Sequence, residues 1–274
     1  AILLFCVRSV ASDNVTAELA KLLATLSIAA PPDMVFAKAK DALAWINAAL
    51  AYTPEELAAI NEAVSERFKL IMIRPEYVSL AKELVSKLQS NLLVGTVIDF
   101  SKGINSTEYK CSEALNAIDD GVDELDFVID YEAFKRNEVD YVRKQVVDCT
   151  KIGLDNNKTV KWIIEIAALN NHEIVQLTAL IKNCVISNFN ESQYEKVFVK
   201  SSTGFYVTHD GSANGATFSA IKLMIENAFP LSVKASGGVK SYEDALQMIN
   251  LGVKRIGTSS ARQIANNENI NTDY

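Results

Sequence analysis

The stretch Val197–Phe198–Val199–Lys200–Ser201–Ser202–Thr203–Gly204, answered by Leu231–Ser232–Val233–Lys234–Ala235–Ser236–Gly237–Gly238, decides how this sequence folds. Each is a short apolar, β-branched run that ends in a lysine and gives way to small residues, and between them lies the helical pattern Ala216–Ala228. The same alternation extends outward in both directions. Strands are expected at Leu70–Ile73, Leu92–Ile98, Glu124–Ile129, Val160–Ile166, Val197–Lys200, Leu231–Ala235 and Arg255–Gly257. Their nearly unbroken apolar character is that of strands covered on both faces. Helical patterns fill the gaps at Pro75–Leu88, Thr107–Asp120, Asp140–Ile152, His172–Ile186, Ala216–Ala228 and Ser241–Leu251. Ser241 with Asp244 three residues later is a helix-start signature. Gly121, Gly153 and Gly252 stand where helices are expected to stop.

Strands alternating with helices require a parallel sheet, since parallel strands need crossover connections. An open doubly wound sheet would place a glycine-rich fingerprint after an early strand, and none is present. The glycines cluster late instead, at Gly204, Gly237, Gly238 and Gly257, where barrels build phosphate sites. The α/β pattern therefore predicts a single (β/α)8 TIM barrel over residues 1–274, with additional N-terminal helices. Leu23–Ala29 is the candidate first strand, and Asp33–Leu50 and Pro54–Glu66 read as two helices, the second capped by Thr53 with Pro54 in first position. Residues 1–22 read as an N-terminal extension and 266–274 as a polar, mobile tail.

Composition narrows the partners. The chain has 274 residues, 49% of them hydrophobic, and a formal net charge of -7, with no basic block of the kind nucleic acid requires. The apolar opening Ala1–Val7 is too short to span a membrane. Four cysteines without CxxC spacing and two histidines, His172 and His209, argue against zinc. Isolated cysteines fit a reducing compartment, and the absence of a targeting pattern points to the cytoplasm.

The chemistry rests on lysine. At its reference pKa of about 10.4, roughly one lysine in 2,500 is neutral at pH 7, and lowering that pKa to 7 takes about 4–5 kcal/mol of differential stabilisation. Burial and a second cation are the two ways to supply it. Lys200 and Lys234 end consecutive predicted strands, so neighbouring strands ~4.8 Å apart would bring them together at the C-terminal face where barrel enzymes react. The plain alternative for either lysine alone is a surface residue at a strand end. The turns that follow, Ser201–Gly204, Ala235–Gly238 and Gly257–Ser260, are small and rich in donors, which suits phosphate. Lys161 lies near the start of its strand, is expected to face the stability end of the barrel, and is set aside. Glu165, near the other end of that strand, is a candidate for lining the site.

These motifs resemble the deoxyribose-phosphate aldolase family. Val199–Lys200–Ser201–Ser202–Thr203–Gly204–Phe205 resembles its imine-lysine motif, and Lys234–Ala235–Ser236–Gly237–Gly238–Val239 its second-lysine and phosphate motif. Glu124–Ile129 resembles its acidic strand, while Val94–Phe100 and Lys161–Glu165 are similar to two further strands. The likeness covers roughly Leu70 to Arg262. It implies a class I lyase that interconverts 2-deoxyribose 5-phosphate with acetaldehyde and glyceraldehyde 3-phosphate, without metal or organic cofactor. It implies Lys200 as imine former, Lys234 as the like charge that keeps Lys200 reactive, and Asp126 as general acid and base through water. A salt bridge to the lysines is the alternative for Asp126. Gly204, Gly237, Gly238, Lys240, Gly257 and Ser259 would hold the phosphate, and Tyr274 would reach the site from the tail, unless it is simply an exposed end. A homodimer or tetramer is implied as well. The chain departs from the pattern at Thr25–Leu26–Ser27, where the family carries Asp-His-Thr, at Met72 in place of a cysteine, and at Ile166 in place of a threonine. The missing first-strand acid leaves open a barrel that keeps its lysines in a binding or scaffolding role, and another phosphosugar aldolase of the same type is a third reading.

Overall fold

The computed structural model describes residues 54–208, 211 and 213–267. The expected extension over residues 1–22, strand Leu23–Ala29, helix Asp33–Leu50, the Thr53 cap, the Thr25–Leu26–Ser27 departure, His209 and Tyr274 lie outside the described residues. The chain divides into two compact units, residues 1–71 with 79–92 and residues 72–78 with 93–274. In the first, the described helices are α1 (Pro54–Ser65) and most of α2 (Val78–Lys87), which bury Ile60 and Ala63, and Ala81, Leu84 and Val85.

The second unit carries the site. Strands β1 (Leu70–Ile73, continuing from the first unit), β2 (Leu93–Ile98), β3 (Glu124–Val128), β4 (Thr159–Ile163), β5 (Val197–Lys200), β6 (Ser232–Ser236) and β7 (Arg255–Gly257) form one sheet in sequential order. Each neighbouring pair from β2 to β7 is parallel, the arrangement of a TIM-barrel-like fold. The crossovers are α3 (Thr107–Asp119), a short α4 (Tyr131–Lys135) with α5 (Val139–Asp155), α6 (Asn171–Asn188), α7 (Phe218–Ala228) and α8 (Tyr242–Leu251), and the five-residue α9 (Ala261–Ala265) follows β7. The expected strands recur within one to three residues. The largest change is β4, which ends at Ile163 because Glu165 turns into the left-handed region at φ 56°.

Local chemistry explains the boundaries. Ser241 accepts from the Asp244 N–H at 3.0 Å and the Asp244 carboxylate accepts from the Ser241 N–H at 3.2 Å, a reciprocal cap on α8. Asn170 and Glu173 do the same for α6, satisfying backbone donors that have no partner within the helix. Gly252 ends α8 at φ 108°. Gly153 does not end its helix, as its sequence position suggests, but lies buried inside α5. Its role is contact: a Cβ there would sit 2.2 Å from Val160 Cγ2 on β4. Only a glycine lets this helix lie so close to the sheet.

Side chains alternate along each strand, and the alternation sorts the core. Leu125, Phe127, Val160 and Trp162 form an outer apolar layer of the sheet. Trp162 stacks on Phe127 with ring centroids 5.1 Å apart and donates its indole N–H to Thr150 of α5 at 2.9 Å. The opposite positions on the same strands are Glu124, Asp126 and Lys161, all buried.

Gly153→Ala is expected to lower stability by about 1–3 kcal/mol through overpacking against Val160, against the gain of about 1 kcal/mol that helix propensity alone would give. The shift in the urea unfolding midpoint measures which effect wins.

Candidate functional site

Asp126 sits in the middle of β3, fully buried. Three lysines converge on it from the next three strands. Lys161 of β4 hydrogen-bonds its Oδ1, while Lys200 of β5 and Lys234 of β6 reach its Oδ2 at 2.8 and 2.9 Å. The strand register makes this possible, for Asp126 lies beside Lys161 and Lys200 lies beside Lys234. The expected meeting of Lys200 and Lys234 is therefore observed. Lys234 lies mid-strand rather than at the end, because β6 runs on to Ser236, which pairs with Gly257.

Lys161 corrects the sequence reading. Set aside as a residue of the opposite end, it is fully buried with its ammonium on Asp126 and 2.7 Å from Glu124 Oε2. Strand position misled because a lysine side chain extends by four methylenes beyond its Cα. The available signal was the strand itself: a charged residue at a buried position must find a partner, and Lys161 interrupts an otherwise apolar Val160–Ile164.

The electrostatics follow from burial. Desolvation works to raise the Asp126 carboxyl, but the Lys161, Lys200 and Lys234 ammonium groups hold it well below the usual carboxylate range. Burial pushes the Lys234 amine down to about 7. Asp126 opposes that shift, and the neighbouring Lys200 and Lys161 charges reinforce it. Lys234 thus gives up its proton near neutrality while Asp126 stays an anion.

The loops beyond the strands are bound to one another. The Ser201 hydroxyl donates to Ser236 O at 3.1 Å and accepts from Ser236 N at 2.9 Å, tying the loop after β5 to that after β6. Glu165 is buried, and its carboxylate accepts from the Thr203 N–H at 3.1 Å and from the Thr203 hydroxyl. Burial raises the Glu165 carboxyl, against the Thr203 hydrogen bonds. Gly204, Gly237 and Gly238 all have φ between 71° and 85°, and a Cβ on Gly215 would lie 2.5 Å from the Gly237 carbonyl carbon. These glycines are brought together as expected. Gly257 has a separate duty: a Cβ there would lie 2.6 Å from Ser236 Oγ and 3.2 Å from Lys234 Cε, so its smallness makes room for the amine. Lys240 is exposed just before the α8 cap, and Ser259 is exposed between β7 and α9. Phe100 from the loop after β2 and the exposed Phe205 from the loop after β5 meet edge to face at 5.0 Å, an apolar rim not foreseen from the sequence.

A second buried pair shapes the loop after β2. Lys110 of α3 bonds Asp99 and donates to Gly103 O and Val128 O, both at 2.8 Å. The cysteines are less isolated than their spacing suggests, since Cys111 and Cys149 bring their sulfurs within 3.7 Å. Among the described residues, no group of three or more His, Cys, Asp or Glu side chains gathers as a metal site, and no helix is long and apolar enough to cross a membrane.

A parallel TIM-barrel-like sheet with three lysine amines on one buried carboxylate defines a site built for amine chemistry on a small molecule. No protein-family model matches the chain, but relatives do. It is 36% identical over 214 residues to the deoxyribose-phosphate aldolase of Thermococcus gammatolerans, covering 77% of this chain and 88% of that protein. It is 38% identical over 216 residues to that of Staphylococcus epidermidis, covering 78% and 89%. The solved tetrameric deoxyribose-phosphate aldolase of Aeropyrum pernix superposes with a TM-score of 0.62 at 26% identity, covering 76% of this chain and 80% of that one. The chain belongs to the deoxyribose-phosphate aldolase family.

Asp126→Asn removes the common anion of three buried cations and is expected to lower stability at pH 7 by about 3–5 kcal/mol. A carboxylate whose folded pKa is depressed stabilises above its unfolded value near 4 and loses that contribution as pH falls further. The deficit of the variant should therefore shrink in denaturant titrations below pH 4.

Proposed function

We propose that this chain is a class I aldolase that cleaves 2-deoxyribose 5-phosphate into acetaldehyde and glyceraldehyde 3-phosphate. The observation that carries the reading is the convergence of Lys200, Lys234 and Lys161 on Asp126 in a family whose relatives bear that enzyme's name. Lys200 is the imine former, as the likeness of Val199–Phe205 to the family's imine-lysine motif implies.

The reaction needs one neutral amine and one proton carrier. Lys234, at about 7, supplies the missing proton equivalent. Lys200 and Lys234 meet on the same oxygen, Asp126 Oδ2, so the neutral Lys234 amine takes a proton from its neighbour and leaves Lys200 as the attacking amine. That amine attacks the C1 aldehyde of the open-chain sugar, and loss of water leaves a protonated imine. Removal of the C3 hydroxyl proton forms the C3 carbonyl while the C2–C3 electron pair moves into the imine, giving an enamine and releasing glyceraldehyde 3-phosphate. Protonation of C2 and hydrolysis free acetaldehyde and restore Lys200. A group titrating near the working pH is the efficient carrier, so the relay falls to Lys234 and water, with Asp126 as the fixed anion that aligns the amines.

The phosphate is assigned to the positive-φ glycines Gly204, Gly237 and Gly238 with Lys240 and Ser259, which lie beyond β5, β6 and β7, and Gly257 supports this end through the room it leaves for Lys234. Glu165 acts through Thr203 by holding that loop. A homo-oligomer is the expected assembly, as the Aeropyrum pernix relative is tetrameric.

Incubation with 2-deoxyribose 5-phosphate and borohydride should leave a reduced adduct on the Lys200 peptide, read by mass spectrometry. Lys200→Ala should lose the adduct and more than about a thousandfold in turnover while remaining folded; unchanged turnover would sink the assignment. Lys240→Ala is expected to raise KM for 2-deoxyribose 5-phosphate about tenfold, the worth of one hydrogen bond to a charged group, and to leave unphosphorylated 2-deoxyribose unaffected.

A further inference from the structure

Beneath the lysine cluster lies a second carboxylate that the chemistry above does not use. Glu124 opens β3, two residues before Asp126 and on the same side of the strand. It is 2% exposed. Two cations meet it: Lys161 of β4, with Nζ 2.7 Å from Oε2, and Arg255 of β7, with Nη2 3.7 Å from Oε1. The contact with Lys161 is an ion pair without hydrogen-bond alignment. Lys161 thus stands between two anions, while its other contact, Asp126, also holds Lys200 and Lys234. The guanidinium of Arg255 lies 5.9 Å from the Phe198 ring centroid and is the partly exposed end of this chain of charges.

Charge arithmetic gives Glu124 its importance. Three buried lysines face one buried aspartate, an excess of two positive charges. Glu124 cancels one of them. We infer that Glu124 is a positioning residue for the aldol reaction, holding Lys161 against Asp126 and setting the net charge around the reacting amines. Glu124 and Asp126 hold the Lys161 ammonium between them, so the charge of Glu124 reaches the Lys234 amine through Lys161.

The inference rests on the aldolase reading, and the test separates the two. The full chain is assayed for cleavage of 2-deoxyribose 5-phosphate across pH, with the acid limb of kcat/KM as the readout. Replacing Glu124 by a neutral residue adds net positive charge, so the cluster sheds its proton more readily. Glu124→Gln is expected to move the acid limb to lower pH by about one unit. Glu124→Asp keeps the charge and should leave the limb near its wild-type position. Arg255→Gln acts in the opposite sense, removing a cation from Glu124, and should move the limb upward by a smaller amount because Arg255 is partly exposed to screening solvent. It remains informative if Glu124→Gln fails to fold. A limb that stays in place in every folded member of the set overturns the inference, as does an equal shift in Glu124→Gln and Glu124→Asp, which would make geometry and not charge the cause. Failure of the wild-type protein to form a borohydride-trapped adduct overturns the aldolase reading itself.

Discussion

Everything in this site depends on one buried anion. Asp126 has two oxygen atoms and three ammonium partners, and all four side chains are buried. Placing three lysines in a protein interior costs several kcal/mol per ion before partners are counted, and a single carboxylate cannot offset that in full. The shortfall is the useful property. A cluster with too much positive charge gives up a proton readily, and it does so at Lys234, whose amine burial and its neighbours bring to about 7. The rest of the second unit can be understood as the means of holding this unfavourable arrangement still.

That support is mostly apolar and lies on the other face of the strands. Trp162 and Phe127 stack outside the sheet while Lys161 and Asp126 meet inside it, so each strand fixes its charged residues by packing their sequence neighbours. Gly153 lets α5 close onto Val160, which bears on the residue immediately before Lys161. The polar ties between loops are few and specific. Ser201 to Ser236 and Glu165 to Thr203 link segments far apart in sequence, keeping the small-residue turns at a fixed distance from the amines.

The sheet was legible from the sequence because its strands are covered on both faces and read as unbroken apolar runs. The pairing of Lys200 with Lys234 was legible too, since consecutive parallel strands of one pattern must lie side by side. What escaped was depth. Lys161 was judged by its distance along the strand, although its parity already placed it on the same face as Asp126's partners, and side-chain length closes the remaining gap. Glu124 escaped for a related reason: a strand's first residue gives no hint that Arg255, four strands away from β3 in the sheet, will meet it, because that contact exists only once the sheet curves. Gly153 failed differently, as helix-ending and helix-packing glycines look alike until the facing strand is known. The left-handed turn at Glu165 likewise has no local signature.

One consequence reaches beyond the chemistry. The closest neighbours of a hypothetical Cβ at Gly257 are Ser236 and the Lys234 side chain itself. Position 257 is therefore tied to two others at once: a larger residue there presses first on the Ser236 hydroxyl and then on the Lys234 side chain. Losing the amine alone would not make room for it, since the serine would still stand in the way. Read together in a related sequence, these three positions show whether the amine pocket has been kept.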